Sequence, residues 1–459
     1  MKYNACAFVA ALLASIVAIP EAGLPQDGPA FPPVTPVTKT WTIDPDPAAR
    51  KGVRPGLAVR LRYVDSENIT LLGAEEDPGK DFSRIKSQLW LEGWLNSSVK
   101  GYMELNSERK YYHHCGSCVD WGHEVIFENL YLEVLNIAGA PIAMRLGRQN
   151  LFYGDGLVIC DGTPLDGSRT TYVNAALFSF AIPQWAFDIF LISDPEQDDY
   201  LPRLDDEDKQ LVETDQCLMG IYFRNMPYGG AERGYTLEPY FIIKREKAAN
   251  GLDRISTFGM RLVLPIANME ATGEATYQMG EHHENYAVEQ EAQNISAFGG
   301  TLYLDASYER YWNLMLRAGY VYLEGDDPET HGKYEGWNPV LGRWPQWSEL
   351  YIYTLIPEGG IAYWRNIKFP MIRAGIEPYP GLGLSASHLW MYANQPESRK
   401  RGNLYTVRLS YKIGRHVFGH VLYEHLSPGG YYNWYWRELG ISGEPQAASF
   451  LRFEFSFAI

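Results

Sequence analysis

From Arg54 to Ile459 the chain repeats one pattern, runs of about 10–14 residues in which apolar positions alternate with polar or small ones, separated by turn signals. The last run is the clearest. Leu451, Phe453, Phe455, Phe457 and Ile459 alternate with Arg452, Glu454, Ser456 and Ala458, so a strand here has one apolar and one mainly polar face. Leu57, Val59, Leu61 and Tyr63 alternate with residues that include Arg60 and Arg62; Leu314, Leu316, Ala318, Tyr320 and Tyr322 do the same around Arg317. The pattern predicts eighteen strands, over 54–64, 84–96, 98–109, 123–136, 141–148, 171–182, 183–194, 214–226, 234–246, 254–265, 267–280, 293–306, 311–324, 367–377, 379–392, 403–414, 416–427 and 447–459.

The connections carry independent information. Long polar ones (65–83, 110–122, 149–170, 195–213, 247–253, 281–292, 325–366, 393–402 and 428–446) alternate with tight ones such as Asn96-Ser97-Ser98 and Pro378-Tyr379-Pro380. A soluble sandwich has no reason to sort loop length by end, whereas a transmembrane barrel has short turns on one side and long loops on the other. The longest uncharged stretch after the N-terminal segment, Thr170 to Phe187, is broken by Pro183-Gln184 and reads as a hairpin of two strands rather than a membrane helix. Strands that cross hydrocarbon must close on themselves, because no water is there to satisfy an open edge. The expected fold is all-β: a transmembrane antiparallel β-barrel of about eighteen strands, over residues 54–459.

Upstream, Lys2 and the apolar stretch Ala5–Ile19 predict a secretory signal over residues 1–22, with cleavage after Ala22; Pro25, Pro29, Pro32, Pro33, Pro36, Pro45 and Pro47 make residues 23–53 an extended periplasmic arm. Export and barrel together place the chain in the bacterial outer membrane, against lipid. Composition agrees with a β protein, at 14% aromatic with 32 Tyr and 43 Gly. A formal charge of −16 argues against nucleic acid as a partner. No nucleophile elbow, phosphate-cradling loop or His-Glu-x-x-His occurs, so the chain reads as a non-enzyme that needs no cofactor.

Assigning the polar phase of each run to the lumen places Arg60, Arg62, Lys86, Lys100, Arg145, Arg224, Lys244, Arg261, Arg317, Arg373, Arg408, Lys412 and Arg452 inside. The acids of the same phase are Glu92, Glu104, Glu133, Asp188, Glu238, Glu270, Glu274, Glu377, Glu424 and Glu454. The interior is then nearly balanced, and the excess acid belongs to loops such as 194–215. Arginines left unpaired would form a track for an anionic solute, since a guanidinium stays charged and binds carboxylates through two donors. Tyr102, Tyr131, Tyr222 and Tyr240 share this phase and could stack on sugars or simply fill space.

The most specific segment runs Arg145-Leu146-Gly147-Arg148-Gln149-Asn150-Leu151-Phe152-Tyr153-Gly154-Asp155-Gly156, followed by Asp166-Gly167-Ser168-Arg169. Arg148, Arg169, Asp155 and Asp166 could form a charge network folded into a pore. Here the chain resembles the alginate export family of bacterial outer-membrane proteins, in its Gly147-Arg148-Gln149 strand end, its Tyr153-Gly154-Asp155 turn and its Asp166-Gly167-Ser168-Arg169. The resemblance implies an eighteen-stranded barrel that passes anionic polysaccharide such as alginate through an Arg-lined constriction, with Gln149, Asp155 and Asp166 supporting the loop and periplasmic export proteins as partners. A plugged barrel that binds glycans through the Trp337, Trp344 and Trp347 loop, or a secreted β enzyme acting on polysaccharide, are the alternatives. His113, His114, Cys115 and Cys118 offer four weak candidate ligands for zinc or copper, but an even set of exported cysteines (Cys115, Cys118, Cys160, Cys217) favours disulfides, among which Cys160 and Cys217 could join two loops.

Overall fold

The computed structural model describes residues 52–71, 79–114, 121–160, 172–196, 200–201, 204, 214–225, 234–248, 251–283, 292–343, 346–360, 363–396 and 399–459. The predicted signal and nearly all of the predicted arm lie outside them. The strands are β1 (Gly52–Glu67), β2 (Lys80–Trp94), β3 (Val99–His114), β4 (Trp121–Val134), β5 (Ile142–Asn150), β6 (Tyr172–Ile182), β7 (Trp185–Asp194), β8 (Gln216–Asn225), β9 (Thr236–Ala248), β10 (Gly251–Ile266), β11 (Met269–His282), β12 (Gln293–Tyr308), β13 (Leu314–Leu323), β14 (Lys333–Tyr334), β15 (Ile367–Tyr379), β16 (Leu382–Tyr392), β17 (Lys400–Ile413), β18 (Val417–Pro428) and β19 (Ala448–Ala458). All but β14 form one antiparallel cycle of eighteen strands, closed where β1 pairs with both β2 and β19. The two-residue β14 lies outside that cycle: it runs parallel to β12, while β13 pairs directly with β15.

Every strand expected from the dyad pattern is present. The outward rows explain why: Leu61, Leu146, Leu191, Met219, Met260, Leu302, Ile372, Val407 and Phe455 are all exposed, a surface that only lipid can cover. Several strands extend beyond their predicted ends on the long-loop side, as β3 does through Arg109, Lys110, Tyr111, Tyr112 and His113. There both faces are polar or aromatic, so hydropathy has no period to read although the ladder continues. The connection 247–253, expected to be long, is tight, because Ala248 already pairs with Gly251.

Two long connections turn inward. Residues 151–160 and 334–343 meet through a parallel bridge between Ile159 and Leu341, with the Leu341 N–H donating to the Val158 carbonyl at 2.9 Å. Gly342 permits this approach, since a Cβ there would lie 2.3 Å from the Leu157 carbonyl oxygen. A helix, Gly430–Glu438, buries Tyr431, Tyr432 and Trp436 beside them. Leu350, Tyr351 and Ile352 join inward-facing Val64, Phe190, Ile242, Val321, Phe369, Leu404 and Phe450 in one apolar core.

The lumen is therefore not polar throughout, as the alternation suggested. Along β15 the inner face reads Ile367, Phe369, Met371 and then Arg373; along β19 it reads Phe450, Arg452 and then Glu454. On these strands the half nearest the long loops is apolar because the inserted loops pack on it, and the half nearest the turns carries charge; elsewhere the long-loop half also holds buried ion pairs, such as Arg84–Glu108 and Lys244–Glu246.

Candidate functional site

The Arg145–Gly156 segment is built around Gly147, whose φ of +128° is open to glycine, and whose Cβ would lie 2.2 Å from the Leu130 carbonyl oxygen on β4. Strand alternation fails there, and Arg148 and Gln149 are buried in succession. Arg148 is 2% exposed; its Nε donates to Asn174 Oδ1 at 3.2 Å and its Nη1 to the Phe127 carbonyl at 3.0 Å. The Gln149 amide donates to the Ala175 carbonyl at 3.1 Å. Both side chains stitch β4, β5 and β6 together, so the structure places Arg148 in the wall. Arg145 faces inward, its guanidinium 4.5 Å from the Tyr131 ring and 3.6 Å from Glu133.

The turn that follows docks on the inner surface of β7, β8 and β10. Tyr153 stacks on Tyr222 at 4.5 Å, Tyr222 on Tyr240 at 5.2 Å, and the Tyr153 hydroxyl donates to Asp188 at 2.9 Å. Tyr222 and Tyr240 donate to Glu238 and Glu274 at 2.8 and 2.6 Å. Arg261 bridges Asp155 at 2.9 Å and Glu238 at 3.0 Å, and Arg224 reaches Glu238 at 2.8 Å. Asp155 thus ties the inward-folded turn to β10 through Arg261. Asp166 and Arg169 lie outside the described residues.

The remaining arginines divide into two groups. Arg62 pairs with Glu454, Arg317 takes Asp305 through two donors at 2.7 and 2.9 Å, and Arg452 reaches Glu349 of the inserted loop at 2.8 Å. Arg60 faces Lys86 across the β1–β2 ladder. Arg373 and Arg408 differ: among the described residues, neither has a carboxylate within ion-pair distance. Arg373 stands directly across from Arg317 and donates to Ser385 Oγ at 3.3 Å; Arg408 stands across from Ser385 on the next strand, and its Nη2 lies 3.3 Å from His420 Nδ1. An arc of bases therefore runs from β13 through β17 and β19 to β1.

A second arc, on β3 and β4, is acidic and paired. Glu108 meets Arg84 at 2.8 Å and Glu128 meets Lys86 at 3.2 Å. Glu128 was not assigned to the lumen from alternation, because a bulge between the Glu104–Asn129 and Leu105–Phe127 pairs adds the residue that turns it inward. Glu349, which neutralises Arg452, sits in a loop where no period could flag it.

Above the arcs, the inserted loop is locked to the wall. Arg401, wholly buried, holds Glu358 through two donors at 2.6 and 2.8 Å; the Ser348 hydroxyl and the Leu350 N–H both donate to Glu424 at 2.7 Å. The Tyr351 and Tyr432 hydroxyls meet at 2.6 Å, and burial pushes both phenols above their ordinary range, which keeps them neutral.

Of the candidate metal ligands, His113 Nε2 lies 2.7 Å from Ser83 Oγ, His114 ends β3, and Cys115 and Cys118 fall outside the described residues; no metal-holding group of three occurs among the described residues. Cys160 and Cys217 do not pair: the first is buried in the inserted loop, the second is exposed on the outer face of β8, and the wall separates them.

Known proteins share this architecture. The family model for alginate export matches residues 53–429. Among solved structures of Pseudomonas aeruginosa, OccK2 (OpdF) in complex with glucuronate is similar at 11% identity and a TM-score of 0.54, with 89% of this chain and 98% of that chain covered. The outer membrane protein OpdK gives 11% and 0.53 over 89% and 98%, and OccD3 (OpdP) 10% and 0.52 over 89% and 93%. At such identities these likenesses show the barrel fold. No curated protein matches the chain. A closed barrel with a lipid-facing outer row and a charged inner one is an outer-membrane channel, and the chain belongs to the alginate export family of the bacterial outer membrane.

Proposed function

We propose that the channel passes an anionic sugar acid or polysaccharide, such as alginate, down its gradient, and that the basic arc attracts and orients it. The observation that carries this reading is the trio Arg317, Arg373 and Arg408 on the inner faces of β13, β15 and β17, with a carboxylate partner among the described residues for the first alone. Arg60, Arg62 and Arg452 extend the arc; Arg145, Arg224 and Arg261 belong to its paired margin. Several weak contacts suit transit better than one tight site. The glucuronate held by OccK2, a barrel of the same fold, supports a carboxylated sugar. The step involves no covalent chemistry. For polymer export, periplasmic proteins would engage the turn end.

The test is reversal potential in a salt gradient across a planar bilayer holding the full chain. Anion preference in the wild type, and its loss in Arg373→Ala/Arg408→Ala, is the expected result; unchanged selectivity in the double variant would sink the role of the arc. A second reading, a barrel that holds glycans rather than passing them, is favoured by the inserted loops; absence of any single-channel current would select it.

A further inference from the structure

On the long-loop side, the ends of β1 and β2, the segment Tyr353–Pro357 and the helix Gly430–Glu438 enclose a cavity of about 170 Å³. Its walls are aromatic: Tyr353, Tyr435 and Trp436. Its rim carries exposed Thr70 and half-exposed Lys80. The Tyr435 ring is fixed in advance, since its hydroxyl donates to the Pro357 carbonyl at 3.0 Å and Tyr431 stacks on it at 5.8 Å. Among the described residues, Lys80 has no acidic partner and no carboxylate lines the cavity.

The size is that of one six-membered ring, since a cavity of roughly 150 Å³ admits benzene. Aromatic faces flanked by a hydroxyl suit the C–H face of a pyranose, and one ammonium at the rim, without an acidic partner among the described residues, supplies the counter-charge for one anionic substituent. None of these residues belongs to the basic arc or to the inward-folded turn. We propose that this cavity is a mouth subsite for one hexuronate unit, its ring against Tyr435 and Trp436 and its carboxylate on Lys80. The proposal rests on the reading of the solute as an anionic sugar, and it adds a first contact before or after the channel itself.

The test is titration of the full chain in detergent with glucuronate and, in parallel, glucose, followed by saturation-transfer NMR, with conductance measured on the same proteins. Lys80→Ala, a rim substitution that leaves the core intact, is expected to weaken glucuronate about tenfold, as loss of one charge-assisted hydrogen bond does, and to leave glucose and conductance unchanged. Tyr435→Phe, which keeps the ring, should retain most of the affinity. Glucuronate affinity indifferent to Lys80 in a conducting channel overturns the mouth subsite alone. Lys80-dependent binding by a protein that passes no anion current leaves the subsite standing and removes the transport reading instead.

Discussion

The two halves of the lumen are lined by the same strands yet obey different physics. Toward the long loops, Val321, Leu323, Ile367, Phe369 and Phe450 meet Leu350, Tyr351 and Ile352 as a dry core; toward the turns, Arg317, Arg373, Arg408 and Glu454 lie on the inner face and are only partly buried. Polar groups that enter the dry half are tied off, as Glu424 is by Ser348 and Leu350. Those in the wet half are paired only in part. The interior of this barrel is thus apolar where the inserted loops pack on β13 to β19 and charged nearer the turns.

Substitutions can break this comparison. The largest effect is expected for Glu358→Ala, which strands the wholly buried Arg401 and should cost about 3–5 kcal/mol in a urea titration. Trp337→Ala, removing a ring packed on Gly299, is also expected to cost about 3–5 kcal/mol and to raise single-channel conductance as the inserted loop loosens. An unchanged midpoint and current would mean that this half is not a core. Arg148→Ala should lose about 1–3 kcal/mol through its unmet wall carbonyl while leaving ion selectivity intact. Arg373→Ala should do the reverse: stability within about 0.5 kcal/mol, anion preference reduced severalfold by reversal potential. If these two exchanged phenotypes, wall and path would have to be reassigned. The smallest effect is expected for Lys247→Ala, whose pair with Asp215 is solvated on both sides and should change the midpoint by less than about 0.5 kcal/mol.

What could be read in advance follows the same division. Outward rows such as Leu451, Phe453, Phe455 and Phe457 are selected by lipid alone, so their period of two survives in the sequence and located every strand of the cycle. Inner residues answer to whatever the loops bring, so Ile367, Phe369 and Met371 look like a continuation of strand pattern although they pack on Trp347 and its neighbours. The helix Gly430–Glu438 was hidden because five aromatics in six positions resemble an external loop as much as a lid. Arg148 lay in the right motif but on the wrong side of one glycine, whose dihedral no alternation rule contains. Asp155 is met by Arg261, 106 positions away, a pairing that no local spacing in the motif contains.

The joint between β1 and β19 carries the same antiparallel ladder as the other joints in the cylinder, with an ion pair across it, yet its partners Arg62 and Glu454 stand 392 positions apart. No partial hoop can be stable on its own, since any missing stave leaves two raw margins in hydrocarbon. The wall is therefore complete only when its first and last strands meet, so removing either end of the cylinder would expose an open edge to lipid.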